Sequence, residues 1–168
     1  MRKVEIREAD LADPAVGRAV VELIDEYARE ALHGGTPLPA AVREALALRL
    51  ASHPTTVVFL AFRDARAVGV AVCFRGFSTW NARPLLNVHD LAVTREMRGY
   101  GIGRQLLAAV EERARSLGCC KLTLEVRGDN RVAQGLYRSF GFRGGAGAPG
   151  ESLGGFAGQT FFWEKPLP

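Results

Sequence analysis

Cysteine is scarce in this chain, and its spacing argues against a cysteine metal site. Only Cys73, Cys119 and Cys120 occur among the 168 residues. Two adjacent thiols do not chelate one ion easily, and the third stands far away in the sequence. We therefore expect three free thiols in a reducing compartment and no bound metal.

Long apolar runs are also missing. No stretch of 18 apolar residues occurs, so a membrane-spanning helix is not expected. The opening MRKVEIREAD alternates charged and apolar residues, whereas a signal peptide has a basic segment followed by an apolar one. The default expectation is a cytoplasmic protein with no membrane partner.

Positive charge is present but not concentrated. The chain has 22 lysines and arginines against 18 acidic residues, a net charge of +4, and arginines occur in every segment. This mild excess suits a phosphate-bearing ligand, whereas nucleic-acid binding requires basic residues clustered on one face. We expect no nucleic-acid partner.

The hydrophobic periodicity predicts an α/β fold. The order is strand, two helices, hairpin, strand, helix, strand, helix, strand, loop, strand. Asp13 and Pro14 begin the first helix, and Gly34 and Gly35 are expected to end it. Residues 144–158 are glycine-rich and predict a mobile loop. We expect one domain over residues 1–168, with a mixed central sheet of six to seven strands flanked by about four helices.

A glycine-rich segment follows the strand PLLNVHDLAV and precedes a helix. Gly99, Gly101 and Gly103 allow positive φ and a close approach of ligand to backbone. Their N–H groups stand at the helix N-terminus, where an anion is favoured, and Arg98 and Arg104 flank them. The pattern predicts a phosphate site, and a plain turn between strand and helix is the alternative.

Two common phosphate motifs do not fit this segment. A P-loop requires Lys-Ser or Lys-Thr after its last glycine, where Arg104 and Gln105 stand. A dinucleotide fingerprint requires a third glycine at the position of Leu106. The phosphate ligand therefore belongs to another class.

The segment LAVTREMRGYGIGRQLL resembles the acetyl-coenzyme A loop of the GCN5-related N-acetyltransferase (GNAT) superfamily. The pattern of that loop, Gln/Arg-x-x-Gly-x-Gly/Ala, falls on residues 98–103. Downstream, NRVAQGLYRSFGF resembles the second motif of the superfamily, and the element order over residues 3–165 is also similar. The residues that match this second motif are Asn130, Ala133, Tyr137, Gly141 and Phe142.

The resemblance implies acetyl-coenzyme A as co-substrate and a direct transfer of its acetyl group to a primary amine. Backbone groups of Leu91, Ala92 and Val93 would pair with the pantetheine arm as an added strand does. Asn130 would contact the coenzyme. The N–H groups that would cradle the pyrophosphate belong to Arg98, Gly99, Tyr100, Gly101, Ile102, Gly103 and Arg104.

Attack of an amine on a thioester sets the chemical needs of the site. A lysine-like amine has a pKa of about 10.4, so its deprotonation at neutral pH costs about 4–5 kcal/mol. The site needs a base near the nitrogen and an acid near the sulfur. The resemblance places Tyr137 near the sulfur as the acid. The alternative is a half-buried tyrosine whose hydroxyl only caps a backbone group.

The candidate base is His89, because an imidazole titrates near neutral pH. Strand alternation places His89 on the face opposite Asp90, which is expected to face the same way as Val88. A glutamate common on this strand in the superfamily aligns with Asn87, which cannot act as a base. A purely structural His89, Asp90 as base, and an ordered water stay open alternatives. The other histidines, His33 and His53, are expected at the surface.

The acceptor is less defined than the donor. We expect its pocket between the first two helices, the hairpin end and the glycine-rich loop, with Phe77, Trp80 and Phe156 as possible lining. The predicted acceptor is a small-molecule amine or an amino terminus. A catalytically inactive acyl-coenzyme A-binding sensor is the alternative function, and the superfamily resemblance also implies a homodimer.

Overall fold

In the computed structural model, the described residues are 3–144 and 159–168. They form a six-stranded sheet in the order β1-β2-β3-β4-β5-β6, with helices on both faces. No helix among these residues is long and apolar enough to cross a bilayer. The strands are β1 (Val4–Glu8), β2 (Thr56–Arg63), β3 (Arg66–Ser78), β4 (Arg83–Val93), β5 (Lys121–Arg127) and β6 (Thr160–Pro166). The α-helices are α1 (Pro14–Ala28), α2 (Ala40–Ser52), α3 (Ile102–Ser116) and α4 (Arg131–Phe140).

The sheet is mixed, which confirms the predicted fold class. Only β4 and β5 pair in parallel, and the other neighbours are antiparallel. The prediction of a strand that begins at Gly141 is wrong, because the described residues 141–144 form no strand. Gly141 ends α4 with a φ of 102°, and Phe142 is buried in the core. A single bridge, between Arg143 and Glu164, follows them.

The first helix begins as predicted but ends early. Asp13 accepts a hydrogen bond from the N–H of Ala15 at 2.8 Å, and Pro14 is the first helical residue. The helix stops at Ala28, and residues 29–39 form a linker to α2. The carboxylate of Asp25 ties this α1–α2 linker down, because its Oδ1 accepts a 2.7 Å hydrogen bond from the N–H of Leu38.

The sheet separates two cores. On one face, α3 inserts Leu106, Leu107 and Val110 against the strands, all fully buried. On the other face, α1 and α2 contribute Val20 and Leu50 to a second cluster. The strand β4 contacts both cores, so its side chains reach either face of the molecule. The predicted mobile loop 144–158 lies outside the described residues apart from Gly144.

The strands β4 and β5 stay together over three residue pairs only. Parallel pairing joins Leu86–Val88 to Leu122–Leu124. Beyond it, β4 continues along β3 and β5 continues along β6. The two strands therefore separate after Val88 and leave an opening, the β4–β5 gap, between residues 89–93 and residues 125–127.

Candidate active site

A β-bulge at the start of the gap changes which side chains face each core. Cys73 pairs with Val88, but the next pair is Val72 with Asp90, so His89 is an extra residue. Because a bulge shifts the alternation by one, Asp90 faces the α1 side with Val72, whereas Val88 faces α3. The prediction that Asp90 faces the same way as Val88 is therefore wrong.

His89 and Asp90 occupy different surroundings in this bulge. His89 is exposed, and its ring meets the edge of Phe74 with 5.4 Å between centroids. Asp90 is half-buried, and burial raises the pKa of its carboxyl group, although the charges of His89 and His33 act in the opposite direction. Among residues 3–144 and 159–168, its carboxylate has no hydrogen bond and no ion pair. Asp90 is thus a carboxylate that can accept a proton.

Asp90 influences two tyrosines, Tyr27 on α1 and Tyr137 on α4, through its charge. Burial, followed by the charge of Asp90, raises the pKa of Tyr27 to about 12. Tyr137, on α4, is 7% exposed, and burial followed by Tyr27 and Asp90 raises its pKa. The charge of Asp90 thus acts on both hydroxyl groups, one on α1 and one on α4. Neither hydroxyl has a hydrogen-bond partner in the described part of the chain.

Tyr27 is a site residue that the sequence did not reveal. Its spacing continues the apolar stripe of α1, and it does pack on the α1-side core. The one available signal is that a hydroxyl-bearing side chain ends an otherwise aliphatic stripe. Only the position of α1 over the bulge shows what that hydroxyl faces.

His33 also belongs to this cluster, which corrects the expectation of a surface position. It is half-buried in the α1–α2 linker, and its ring packs against that of Tyr27 with centroids 3.9 Å apart and the ring planes tilted by 39°. Burial lowers its pKa. His53 is exposed, as predicted. Sequence spacing gives no signal for His33, because its contact depends on the path of the linker.

The backbone of β4 presents alternate residues to the gap. The N–H of Thr94 donates to the carbonyl of Val68 on β3 at 2.9 Å, so Thr94 and Ala92 direct their backbone groups toward β3. Leu91 and Val93 then direct theirs toward the gap. In agreement, the carbonyl of Val93 accepts a 2.9 Å hydrogen bond from the Nε of Arg98.

The glycine loop provides backbone donors next to the gap. Gly99 and Gly101 have φ values of 82° and 76°, a region that favours glycine. Gly101 is the N-cap of α3, and no side chain in the described ranges caps this helix end. Ile102 is buried and fixes the first turn on the sheet. The first N–H groups of α3 are therefore available to an anion.

The side chains around this loop are engaged within the protein. The guanidinium of Arg98 also pairs with Glu30 of the α1–α2 linker. Arg104 donates to the carbonyl and hydroxyl oxygens of Ser139, both at 3.3 Å. The side-chain oxygen of Asn130 caps α4 by accepting from the N–H of Ala133 at 3.1 Å. Backbone N–H groups are thus the donors that the loop offers directly.

Two of the three residues predicted to line the acceptor pocket belong to the described part of the chain. Phe77 and Trp80, near the β3–β4 turn, are exposed, and Trp80 is 98% exposed. Phe156 lies outside the described residues.

All three cysteines are buried free thiols. No group of three or more histidine, cysteine, aspartate or glutamate side chains within the described ranges could hold a metal ion.

Comparison with known proteins assigns the chain to a family. The model of the "Acetyltransferase (GNAT) family" matches residues 18–142, most of the chain. The chain therefore belongs to the GNAT family of acetyltransferases, as its two motifs predicted.

Relatives and solved structures agree with this assignment. The "Uncharacterized N-acetyltransferase YhfO" of Bacillus subtilis is 30% identical over 83% of this chain and 89% of its own length. The bovine "Thialysine N-epsilon-acetyltransferase" is 36% identical, over 44% of this chain and 43% of its own. The fold resembles that of the "NatC complex bound to Gag peptide and CoA", with a TM-score of 0.72 at 20% identity, covering 99% of each chain.

The carboxylate of Asp90, which has no partner among the described residues, is expected to make the stability of the protein depend on pH. The raised folded-state pKa of Asp90 means that the folded protein favours the protonated carboxyl group. The contribution of this group to the free energy of unfolding is therefore fully present below the unfolded-state pKa, and it is lost as the pH rises through the folded-state pKa. Asp90→Asn should therefore have the larger free energy of unfolding at neutral pH. This advantage should shrink in acid, as measured by urea unfolding across the pH range.

Asp129→Asn is the matched control, and its expected change in the free energy of unfolding at neutral pH has the opposite sign. A side-chain hydrogen bond from Arg127 lowers the pKa of Asp129, so this variant should lose stability at neutral pH. An Asp90→Asn effect that is destabilising, or that does not change with pH, would contradict the described surroundings of Asp90.

Proposed function

We propose that this protein transfers the acetyl group of acetyl-coenzyme A directly to a primary amine, on a small molecule or an amino terminus. The observation that carries the proposal is the β4–β5 gap, where the half-buried Asp90 lies in the bulge beside an α3 N-terminus that no described side chain caps, and the charge of Asp90 acts on Tyr27 and Tyr137. Membership of the GNAT family supports it. We extend the proposal to a single catalytic domain over residues 1–168, a cytoplasmic location and a homodimer.

The coenzyme is proposed to enter the gap as an added strand. Backbone groups of Leu91 and Val93 face the pantetheine arm, and Ala92 supports them from the β3 side. The pyrophosphate meets the N–H groups of residues 98–104, and the side-chain amide of Asn130 donates from α4. Because Arg98 donates to the carbonyl of Val93, that bond gives way when the arm binds there.

The acid is proposed to be Tyr137. Its raised pKa keeps the hydroxyl protonated at neutral pH, so it has a proton to give. After the amine attacks the carbonyl carbon, the N–H of Val93 stabilises the oxyanion. The carbon–sulfur bond then breaks, and the thiolate takes the proton of Tyr137. The tyrosinate is restored by a proton from the new amide nitrogen.

The base is proposed to come from the bulge, where His89 and Asp90 are neighbours. The sequence favoured His89, but the geometry favours Asp90. Asp90 is half-buried, its charge acts on both tyrosines, and it has no partner among the described residues, whereas His89 is exposed against Phe74. Asp90 therefore takes the proton of the acceptor ammonium, and His89 is the second candidate.

Release of free thiol from acetyl-coenzyme A tests the function. The acceptor panel should contain lysine, spermidine, an aminoglycoside and a peptide with a free amino terminus. These amine classes are chosen from the names of similar proteins: the bovine thialysine acetyltransferase, a metagenomic aminoglycoside acetyltransferase and the complex bound to Gag peptide. We expect turnover with at least one amine. Tight coenzyme binding without turnover would instead support the sensor function.

Tyr137→Phe should separate acid catalysis from binding. Loss of the proton donor should lower kcat by about 100-fold, within the usual range for general acid catalysis. The ring contact with Phe142 at 5.7 Å is kept, so coenzyme affinity should not change. Steady-state kinetics and calorimetry measure the two quantities. An unchanged kcat would remove Tyr137 from the acid role.

Asp90→Asn and His89→Gln should differ in their effect on turnover. The aspartate variant loses the carboxylate that accepts the proton, so its kcat should fall about 100-fold or more. The histidine variant should keep most of its activity, because its ring lies at the surface. Stopped assays at several pH values compare the two. A larger loss in His89→Gln would return the base role to His89.

Gly101→Ala tests the glycine loop, with Gly118→Ala as matched control. Both glycines have left-handed φ values, 76° and 69°, and an added Cβ meets no atom within 4 Å at either. Each alanine should therefore cost about 1–2 kcal/mol of backbone strain. Only Gly101→Ala should weaken coenzyme A binding, by about tenfold in calorimetry. Equal affinities in the two variants would show that the loop does not hold the coenzyme.

A further inference from the structure

One arginine joins the glycine loop to the α1–α2 linker. The Nε of Arg98 donates to the carbonyl of Val93 at 2.9 Å, and its Nη2 pairs with the carboxylate of Glu30 in the linker. We propose that these two contacts, here called the Arg98 latch, hold the linker in place until the coenzyme binds. Binding then displaces Arg98 from both partners, so that Glu30 couples the coenzyme site to the linker.

The two contacts of the latch depend on each other. Nε and Nη2 belong to one rigid, planar guanidinium, so a movement that takes Nε away from Val93 also moves the donor that serves Glu30. The side chains of Arg98 and Glu30 are 43% and 30% exposed. An ion pair that is partly exposed to solvent is weak enough to exchange its partners.

The coenzyme competes with Arg98 for the same acceptor. The carbonyl of Val93 faces the β4–β5 gap, and an arm that binds there as an added strand needs this carbonyl for its own N–H group. The displaced guanidinium lies in the same loop as the N–H groups proposed to meet the pyrophosphate. Phosphate oxygens accept bidentate hydrogen bonds from arginine, so Arg98 exchanges a carbonyl and a carboxylate for the pyrophosphate.

Glu30 is the residue around which the first half of the linker is built. Its carbonyl accepts hydrogen bonds from the N–H groups of His33 at 2.8 Å and Gly35 at 3.0 Å. The second half is held separately, because the N–H of Leu38 donates to Asp25 at 2.7 Å. Loss of the ion pair with Arg98 should therefore free the turn at residues 30–35 and leave the attachment at Leu38 intact.

The freed turn belongs to the expected acceptor side of the site. The linker connects α1 to α2, and the acceptor pocket is expected between these two helices. A turn that is fixed before the coenzyme arrives and free afterwards can move aside for the amine only in the coenzyme complex. Glu30 acts through Arg98 and touches no reacting atom, so it is a positioning residue, and this role rests on the proposed acetyl transfer.

Calorimetry with coenzyme A alone tests the competition. Glu30→Gln should bind coenzyme A about threefold more tightly than the wild type, because no ion pair has to be broken. Glu96→Gln is the matched control: Glu96 stands two residues before Arg98 but pairs with Arg66 at 2.8 Å, outside the latch. The control should keep the wild-type affinity.

A double-mutant cycle shows whether Glu30 acts through Arg98. In an Arg98→Gln background, Glu30→Gln should no longer change the affinity for coenzyme A. An equal gain in both backgrounds, or an equal gain in Glu96→Gln, would mean that the lost charge acts on the pyrophosphate directly, which overturns the latch. An unchanged or weaker affinity in Glu30→Gln would overturn it too.

Hydrogen exchange followed by NMR tests the release of the linker. Coenzyme A should speed the exchange of the His33 and Gly35 amides about threefold in the wild type, whereas the Leu38 amide should not change. Glu30→Gln should show the faster exchange without coenzyme and no further change with it. Slower or unchanged exchange of the His33 and Gly35 amides in the wild-type complex would mean that the linker is not released, which overturns the latch.

Kinetics separate the latch from the proposed function. With the panel amine that gives the highest turnover, Glu30→Gln should lower the KM of acetyl-coenzyme A about threefold and leave kcat unchanged. A lower kcat with the wild-type KM would contradict the latch. If coenzyme A binds but no panel amine is acetylated by the wild type, the proposed function fails, whereas calorimetry and hydrogen exchange still decide whether the latch exists.

Discussion

The separation of β4 from β5 is the constraint on which the rest of the site depends. Backbone hydrogen bonding between parallel strands would continue as far as both strands run, but here it stops after three pairs. Each strand keeps its other neighbour, so the sheet is not weakened throughout. The bulge at His89 accompanies the separation and turns Asp90 toward α1. The end of β4–β5 pairing and the carboxylate turned toward α1 therefore lie at the same point of β4.

The polar groups that the proposed chemistry uses lower the stability of the fold. A half-buried carboxylate without a partner in the described residues costs free energy, and so does a helix N-terminus without a side-chain cap. Both features are tolerated because the surrounding cores are tightly packed, with Leu106, Leu107 and Val20 fully buried. The polar groups that a stable protein would pair are left available to ligands.

The sequence predicted the framework well and the site in part. The element order apart from the strand expected at Gly141, the Asp13 cap and the glycine loop follow from local patterns, and the two motifs were enough to indicate the family. The facing of Asp90 could not be predicted, because one inserted residue reverses the alternation and leaves no compositional trace. Tyr27 and His33 were missed for another reason: their roles depend on how α1 and its linker lie over a distant strand.

The hydrogen bond from Arg98 to Val93 occupies an acceptor at the open edge of β4. An unpaired strand edge inside a sheet is a template for another extended chain, and cells contain many such chains. The guanidinium covers the carbonyl at the end of this edge, and its ion pair with Glu30 keeps it there. A charged side chain is a poor neighbour for an incoming peptide strand. As long as this hydrogen bond is kept, the carbonyl of Val93 is unavailable to another extended chain.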